Sequence, residues 1–140
     1  MRKILLFLTI LLIAGAVTIS GCTKYADPDL KITSNLSKVS DDPGTGNITY
    51  DVKLTVANVG TNNAYKVKVM TILSTPKDLS EYRFVSRTTD AGDIEKGTVR
   101  TFTERMTLPA TKANHDLIIA ETQQPAIETK IMSVSSNVMG

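Results

Sequence analysis

The chain has no tryptophan, one histidine and one cysteine in its 140 residues, and aromatic side chains make up 5% of it. A lone cysteine, Cys22, cannot close an internal disulfide, so an exported domain of this kind has to be stable through its core alone. One histidine leaves no histidine-rich metal set and no ready Cys/His nucleophile pair. Few aromatic rings argue against a surface that stacks sugars or bases. A Ser/His/Asp triad can be assembled on paper from His115, Asp116 and the serines, but no Gly-x-Ser-x-Gly elbow accompanies it. His115 is expected at the start of a strand, where a solvated histidine needs no chemical role. The chain is therefore expected not to be an enzyme, with no catalytic residues, no metal site and no cofactor.

What the chain does have begins at its N-terminus. Arg2 and Lys3 form a positive start, residues 4–19 form a 16-residue apolar stretch, and Ser20 and Gly21 precede Cys22. This is the order of a secretory signal peptide. The stretch is short for a bilayer span, which needs about 20 apolar residues. The segment resembles the lipobox of prokaryotic lipoproteins. That resemblance implies cleavage before Cys22, lipid on the new terminal residue, and a domain held at the cell membrane or envelope, outside the cytoplasm.

Without residues 1–21, 119 residues remain, the size of one domain with a real core. Acidic and basic residues then number 14 each. A neutral, mixed surface lacks the footprint that nucleic acid or anionic lipid binding needs, so no nucleic acid partner is expected. Thr23-Lys24-Tyr25-Ala26-Asp27-Pro28-Asp29 reads as a tether over residues 22–29. Its seven residues reach roughly 23 Å when extended, which keeps the domain close to the membrane.

Period-two patterning dominates the rest of the chain. Ile48, Tyr50, Val52, Leu54 and Val56 alternate with Thr49, Asp51, Lys53 and Thr55, as in a strand with one buried face. Asn58-Val59-Gly60-Thr61-Asn62-Asn63 is a turn cluster, and Tyr65, Val67 and Val69 mark a second strand over 64–73. The other side of that strand begins with Lys66 and Lys68 and continues with Met70 and Ile72, which predicts that one end is covered by a neighbour or partner. Further strands are expected at 30–39, 81–87, 97–108, 116–121 and 127–134. Pro76 to Glu81 could make one helical turn. In 97–108 the apolar Val99, Phe102, Met106 and Leu108 break alternation, for which a bulge or an offset start is the expected cause. About seven antiparallel strands over 30–136, with a loose end at 137–140, predict an all-β, immunoglobulin-like sandwich preceded by a signal-peptide helix.

Val56-Ala57-Asn58-Val59-Gly60, then Ala64, Val67 and Val69, resembles the strand-turn-strand core of CARDB-type and FxLYD-type immunoglobulin-like domains. Ile94-Glu95-Lys96-Gly97-Thr98-Val99 with Phe102 is similar to their apolar-x-x-Gly turn. The resemblance covers residues 46–108 and implies a fold more than an activity.

Asn58 and Gly60 read as turn residues that tolerate positive φ. Asp41-Asp42-Pro43-Gly44-Thr45-Gly46-Asn47 and Asp90-Ala91-Gly92-Asp93 are rich in oxygen ligands, but neither follows the EF-hand spacing, and both read as hairpin turns. Met70, Met106 and Met132 read as core filler before copper ligands. Asn35 and Asn47 each begin an Asn-x-Ser/Thr acceptor pattern for glycosylation, with Asn47, at a hairpin end, the better placed. The sequence thus points to a membrane-anchored, non-catalytic binding or envelope-assembly module, with a protein partner in the envelope contacted through a sheet edge or through Met70 and Ile72. The alternative is a small-molecule or metal-binding envelope lipoprotein, which would need a deep polar pocket in place of a filled interior.

Overall fold

The computed structural model describes residues 28–135. Cys22, the leader and the 137–140 end lie outside the described residues. Six strands and one helix follow in the order β1 (Leu30–Asp42), β2 (Asn47–Asn58), β3 (Ala64–Ser74), β4 (Phe84–Ile94), β5 (Val99–Pro109), α1 (Lys112–Ile119) and β6 (Ala126–Ser135). They form two antiparallel three-stranded sheets, β1-β2-β5 and β4-β3-β6. This is the A-B-E and C′-C-F order of immunoglobulin-like sandwiches. Among the described residues, no helix is long and apolar enough to cross a membrane.

The alternation seen in the sequence places the core. Ile48, Val52, Leu54 and Val56 of β2 face Val67, Val69 and Leu73 of β3, and all seven have no exposed surface. Burying each such side chain contributes about 1.5–3 kcal/mol, which is how a fold without disulfides is held. The Asn58 turn cluster does not close a hairpin. It carries the chain from the first sheet to the second.

Several expectations are corrected. Residues 116–121 are not a strand, because 112–119 form α1, with Thr111 as its N-cap accepting a hydrogen bond from Asn114 N at 3.4 Å. A helix of eight residues is too short to show a 3.6-residue period, and Ile118-Ile119 mimics a strand. This leaves six strands among the described residues, not seven. The expected 81–87 strand begins later, at Phe84, and runs on through Asp90-Ala91-Gly92-Asp93, which is a bulge and not a turn. Gly92 there has φ +68, Asp90 Oδ1 accepts from Gly92 N at 2.8 Å, and Asp93 Oδ1 accepts from Lys66 N at 2.9 Å. Turn chemistry serves a kink inside a strand. Residues 76–81 make a turn closed by Leu79 N to Pro76 O at 3.2 Å, not a helix. Finally, of the two causes expected for the uneven pattern of β5, the strand does start later, at Val99, but it has no bulge against β2, since their register runs unbroken from Val99 to Pro109. Alternation looks broken because Glu104 occupies an inward position between Phe102 and Met106, while Val99 is 57% exposed.

Candidate functional site

The two outer faces of the sandwich differ in chemistry. Across β1-β2-β5, the outward rows are Thr33, Thr55 and Thr101, then Asn35, Lys53 and Thr103, then Ser37, Asp51 and Arg105. Threonine hydroxyls pair at Thr55–Thr101 (3.3 Å) and Thr49–Thr107 (3.0 Å), and Arg105 grips Asp51 with two hydrogen bonds of 2.9 and 3.1 Å. Over these rows the face is polar, and Val99 is the open apolar side chain at its end.

Across β4-β3-β6 the outward rows are Thr88, Met70 and Lys130, then Ser86, Ile72 and Glu128, then Phe84, Ser74 and Ala126. Met70 and Ile72, singled out in the sequence, sit side by side on this face and are half-buried. The stems of Lys130 and Glu128 beside them are of the kind that shield apolar neighbours while their charges stay in water. More open than either are Phe84 at 57% and Tyr82 at 47%, whose rings lie 6.0 Å apart, and Met132 at 50%. Phe84 is legible in the sequence only as a strand residue, because its facing depends on the register with Ser74.

At the far end of the sandwich, α1 lies against the β1–β2 hairpin. His115 is not solvated at a strand start as expected. Its side chain is 4% exposed, with Nδ1 3.0 Å from Asp116 Oδ1 and Nε2 3.1 Å from Asp41 Oδ2. Both ring nitrogens face carboxylate oxygens, an arrangement that favours the imidazolium. The Asp116 carboxylate, and then Asp41, accordingly raise the pKa of His115 against the opposing effect of burial. Hydrogen bonds from Lys38 and then His115 lower that of Asp41. Burial pushes the phenol of nearby Tyr50 up to about 12, with the charge on Asp41 adding to it. Neither ring nitrogen is free in this arrangement to take a proton from a nucleophile. Buried Asn114 fixes the helix on its other side, donating from Nδ2 to Glu81 O at 2.8 Å.

Between the sheets, Glu104 is 5% exposed among Thr71, Thr89 and Thr129 on the inward side of the opposite sheet. Thr89 Oγ1 donates to Glu104 Oε1, while Glu104 Oε2 and Thr71 Oγ1 are buried without a partner of good geometry. Burial raises the pKa of Glu104, offset in part by Thr71 and Arg87. The signal for this group is present in the sequence, as the missing apolar residue in the Phe102, Met106, Leu108 series.

The acidic loops use their oxygens internally. Asp42 accepts from Gly44 N at 2.9 Å and Thr45 Oγ1 at 3.0 Å. Among the described residues, no three His, Cys, Asp or Glu side chains gather as a metal site. Asn35 lies in β1 and Asn47 at the start of β2, both half-buried, so the hairpin position gives Asn47 no clear advantage in exposure.

No family model matches the chain, and no curated protein matches it. Two solved structures are similar in part. One is a Bordetella pertussis protein provisionally named ApaA, 13% identical with a TM-score of 0.47, covering 77% of this chain and 91% of its own. The other is the trimeric lipoprotein SadB of Salmonella enterica, 11% identical with a TM-score of 0.45, covering 78% of this chain and 55% of its own.

Proposed function

We propose that the chain is an exported lipoprotein, anchored through Cys22, whose sandwich acts without catalysis by binding a protein partner in the envelope. The partner surface is the outer face of β4-β3-β6 around Met70, Ile72 and Phe84. The observation that carries this reading is the contrast between the faces. The centre of one is covered by paired threonines and the Asp51–Arg105 bridge, with Val99 open only at its end, whereas the other leaves Phe84 and Met132 open around half-buried Met70 and Ile72, beside charged neighbours. Exposed aromatic and methionine side chains with a polar surround are what protein interfaces favour. The interior supports binding over carriage of a small molecule, because Val52, Leu54, Val67, Val69 and Leu73 fill the space between the sheets.

A photoreactive side chain placed at Phe84, and separately at Thr101, in the full chain in native membranes tests the reading. Specific protein adducts at Phe84 and none at Thr101 are expected. Equal labelling at both positions, or labelling at Thr101 alone, contradicts the choice of face. Mass measurement of the N-terminal peptide tests the anchor separately: acyl groups on Cys22 are expected, and an intact leader contradicts it.

A further inference from the structure

The two ends of the sandwich are also unlike, and the chain enters at one of them. Strand directions place Leu30, the 59–63 and 95–98 crossings and Ser135 together at one end. The β1–β2 hairpin, the 75–83 loop and α1 lie at the other. Entry is fixed in place: Pro28 is buried, and the carbonyl of Asp29 accepts from Val59 N at 2.8 Å. Gly60 permits this approach, since a Cβ there would stand 2.5 Å from Asp29 N. Cys22 precedes Pro28 by six residues, which span at most about 20 Å. The 12 residues of β2 are about 40 Å long. A lipid on Cys22 therefore stays near the entry end and cannot extend to α1.

Two of the exposed large apolar side chains surround the entry point, Val59 at 49% and Val99 at 57%. Their turns are tied together by Asn58 N to Thr98 O at 3.0 Å and Gly97 N to Asn58 O at 2.9 Å. Lys31 shares an outward row with Ala57 and Val99, and Lys96 and Arg100 are exposed beside it. Asp29, Asp93 and Glu95 are the acidic groups at this end, so charge alone would hold it weakly. Two valines alone would also be insufficient. Tethering makes a weak contact effective, by keeping the surface at high local concentration against the bilayer.

We propose that the entry end docks on the lipid surface, with Val59 and Val99 as shallow apolar contacts and Lys31, Lys96 and Arg100 facing headgroup phosphates. The sandwich then stands end-on, and α1 with the Tyr82–Phe84 pair is held about 40 Å from the bilayer, within reach of a partner. This rests on the anchor proposed at Cys22.

The test uses the full-length chain, produced in a host that processes lipoproteins and reconstituted into vesicles of phosphatidylcholine and phosphatidylglycerol carrying a headgroup nitroxide. A fluorophore is attached at V99C or at Y82C, both exposed positions, with the Cys22 sulfur capped by lipid. Severalfold stronger quenching at V99C than at Y82C is expected, weakened by K96E/R100E. Equal quenching, or stronger quenching at Y82C as for a sandwich lying on its side, overturns the orientation. If Cys22 carries no acyl group and the protein does not float with the vesicles, the anchor falls and this inference falls with it. If the protein is acylated and floats but V99C is unquenched, only the orientation falls.

Discussion

His115 Nε2 lies 3.1 Å from Asp41 Oδ2, joining the short helix to a hairpin 74 residues earlier in the chain. With Asp116 on the other ring nitrogen, the contact couples the seating of α1 to a titratable group.

That dependence has a definite sign. The folded-state pKa of His115 is raised above its ordinary 6.5. Its contribution is therefore fully present below pH 6.5 and is lost as pH rises through the folded value. Asp41, with its pKa lowered from 3.8, contributes above pH 3.8 and loses its part as pH falls through its own folded value. His115→Ala should cost about 2 kcal/mol at pH 6, because charge-assisted hydrogen bonds of a buried group are lost. Thermal melts from pH 5 to 9 should show the wild type converging on the variant at the alkaline end. A constant gap across that range would mean that His115 serves only to fill space.

Glycine substitutions should sort by what surrounds them. Gly46 has φ +81, and a Cβ there would lie 2.4 Å from Ala110 O, on the segment that leads into α1. Gly46→Ala combines left-handed strain with a backbone collision and should cost about 3 kcal/mol or more. Gly97 has φ +74 with nothing within 4 Å, so Gly97→Ala should cost only about 1–2 kcal/mol. Urea titration of both variants checks the order.

Asn58→Ala should cost about 2–3 kcal/mol. Its side chain, 1% exposed, donates to Asn62 O at 2.8 Å and Ile94 O at 3.0 Å and accepts from Gly60 N at 3.1 Å. Removing it strands buried backbone groups at the point where the chain changes sheet. Asn58→Asp should be nearly as harmful, since it removes both donated bonds. Calorimetry on the two variants distinguishes this from a merely permissive turn residue, for which both changes would be mild.

Much of the fold is legible in the sequence because alternation reports burial directly. Val52, Leu54 and Val56 announce both their strand and the face it buries. Features decided by distant partners are not legible. Nothing local shows that His115 will meet Asp41, or that a valine-rich pair of strands will belong to different sheets. Gly60 is instructive in the same way. Its φ lies outside the left-handed region, and the residue is required because the backbone of Asp29 passes close by. The motif does mark a special position, but through a close backbone approach and not through the turn conformation that its residue types suggest. Glu104 is concealed because a gap in an apolar series looks like a bulge, whereas here a carboxyl side chain has taken the inward place.

Glu104 gives the sharpest test of the interior. Its pKa is raised above 4.5 chiefly by burial, so the folded state holds the proton more tightly than the unfolded chain does. Stability from this group is present below pH 4.5 and is lost as pH rises through the folded value. Glu104→Gln keeps an acceptor for Thr89 Oγ1 and cannot ionise, so it should melt a few degrees higher than wild type at pH 7. The gap should shrink toward pH 4, where both side chains are neutral. Melting curves at pH 4, 5.5 and 7 read this directly. If Glu104→Gln instead melts lower at pH 7, the surroundings favour the carboxylate more than burial opposes it, and the raised pKa is overturned.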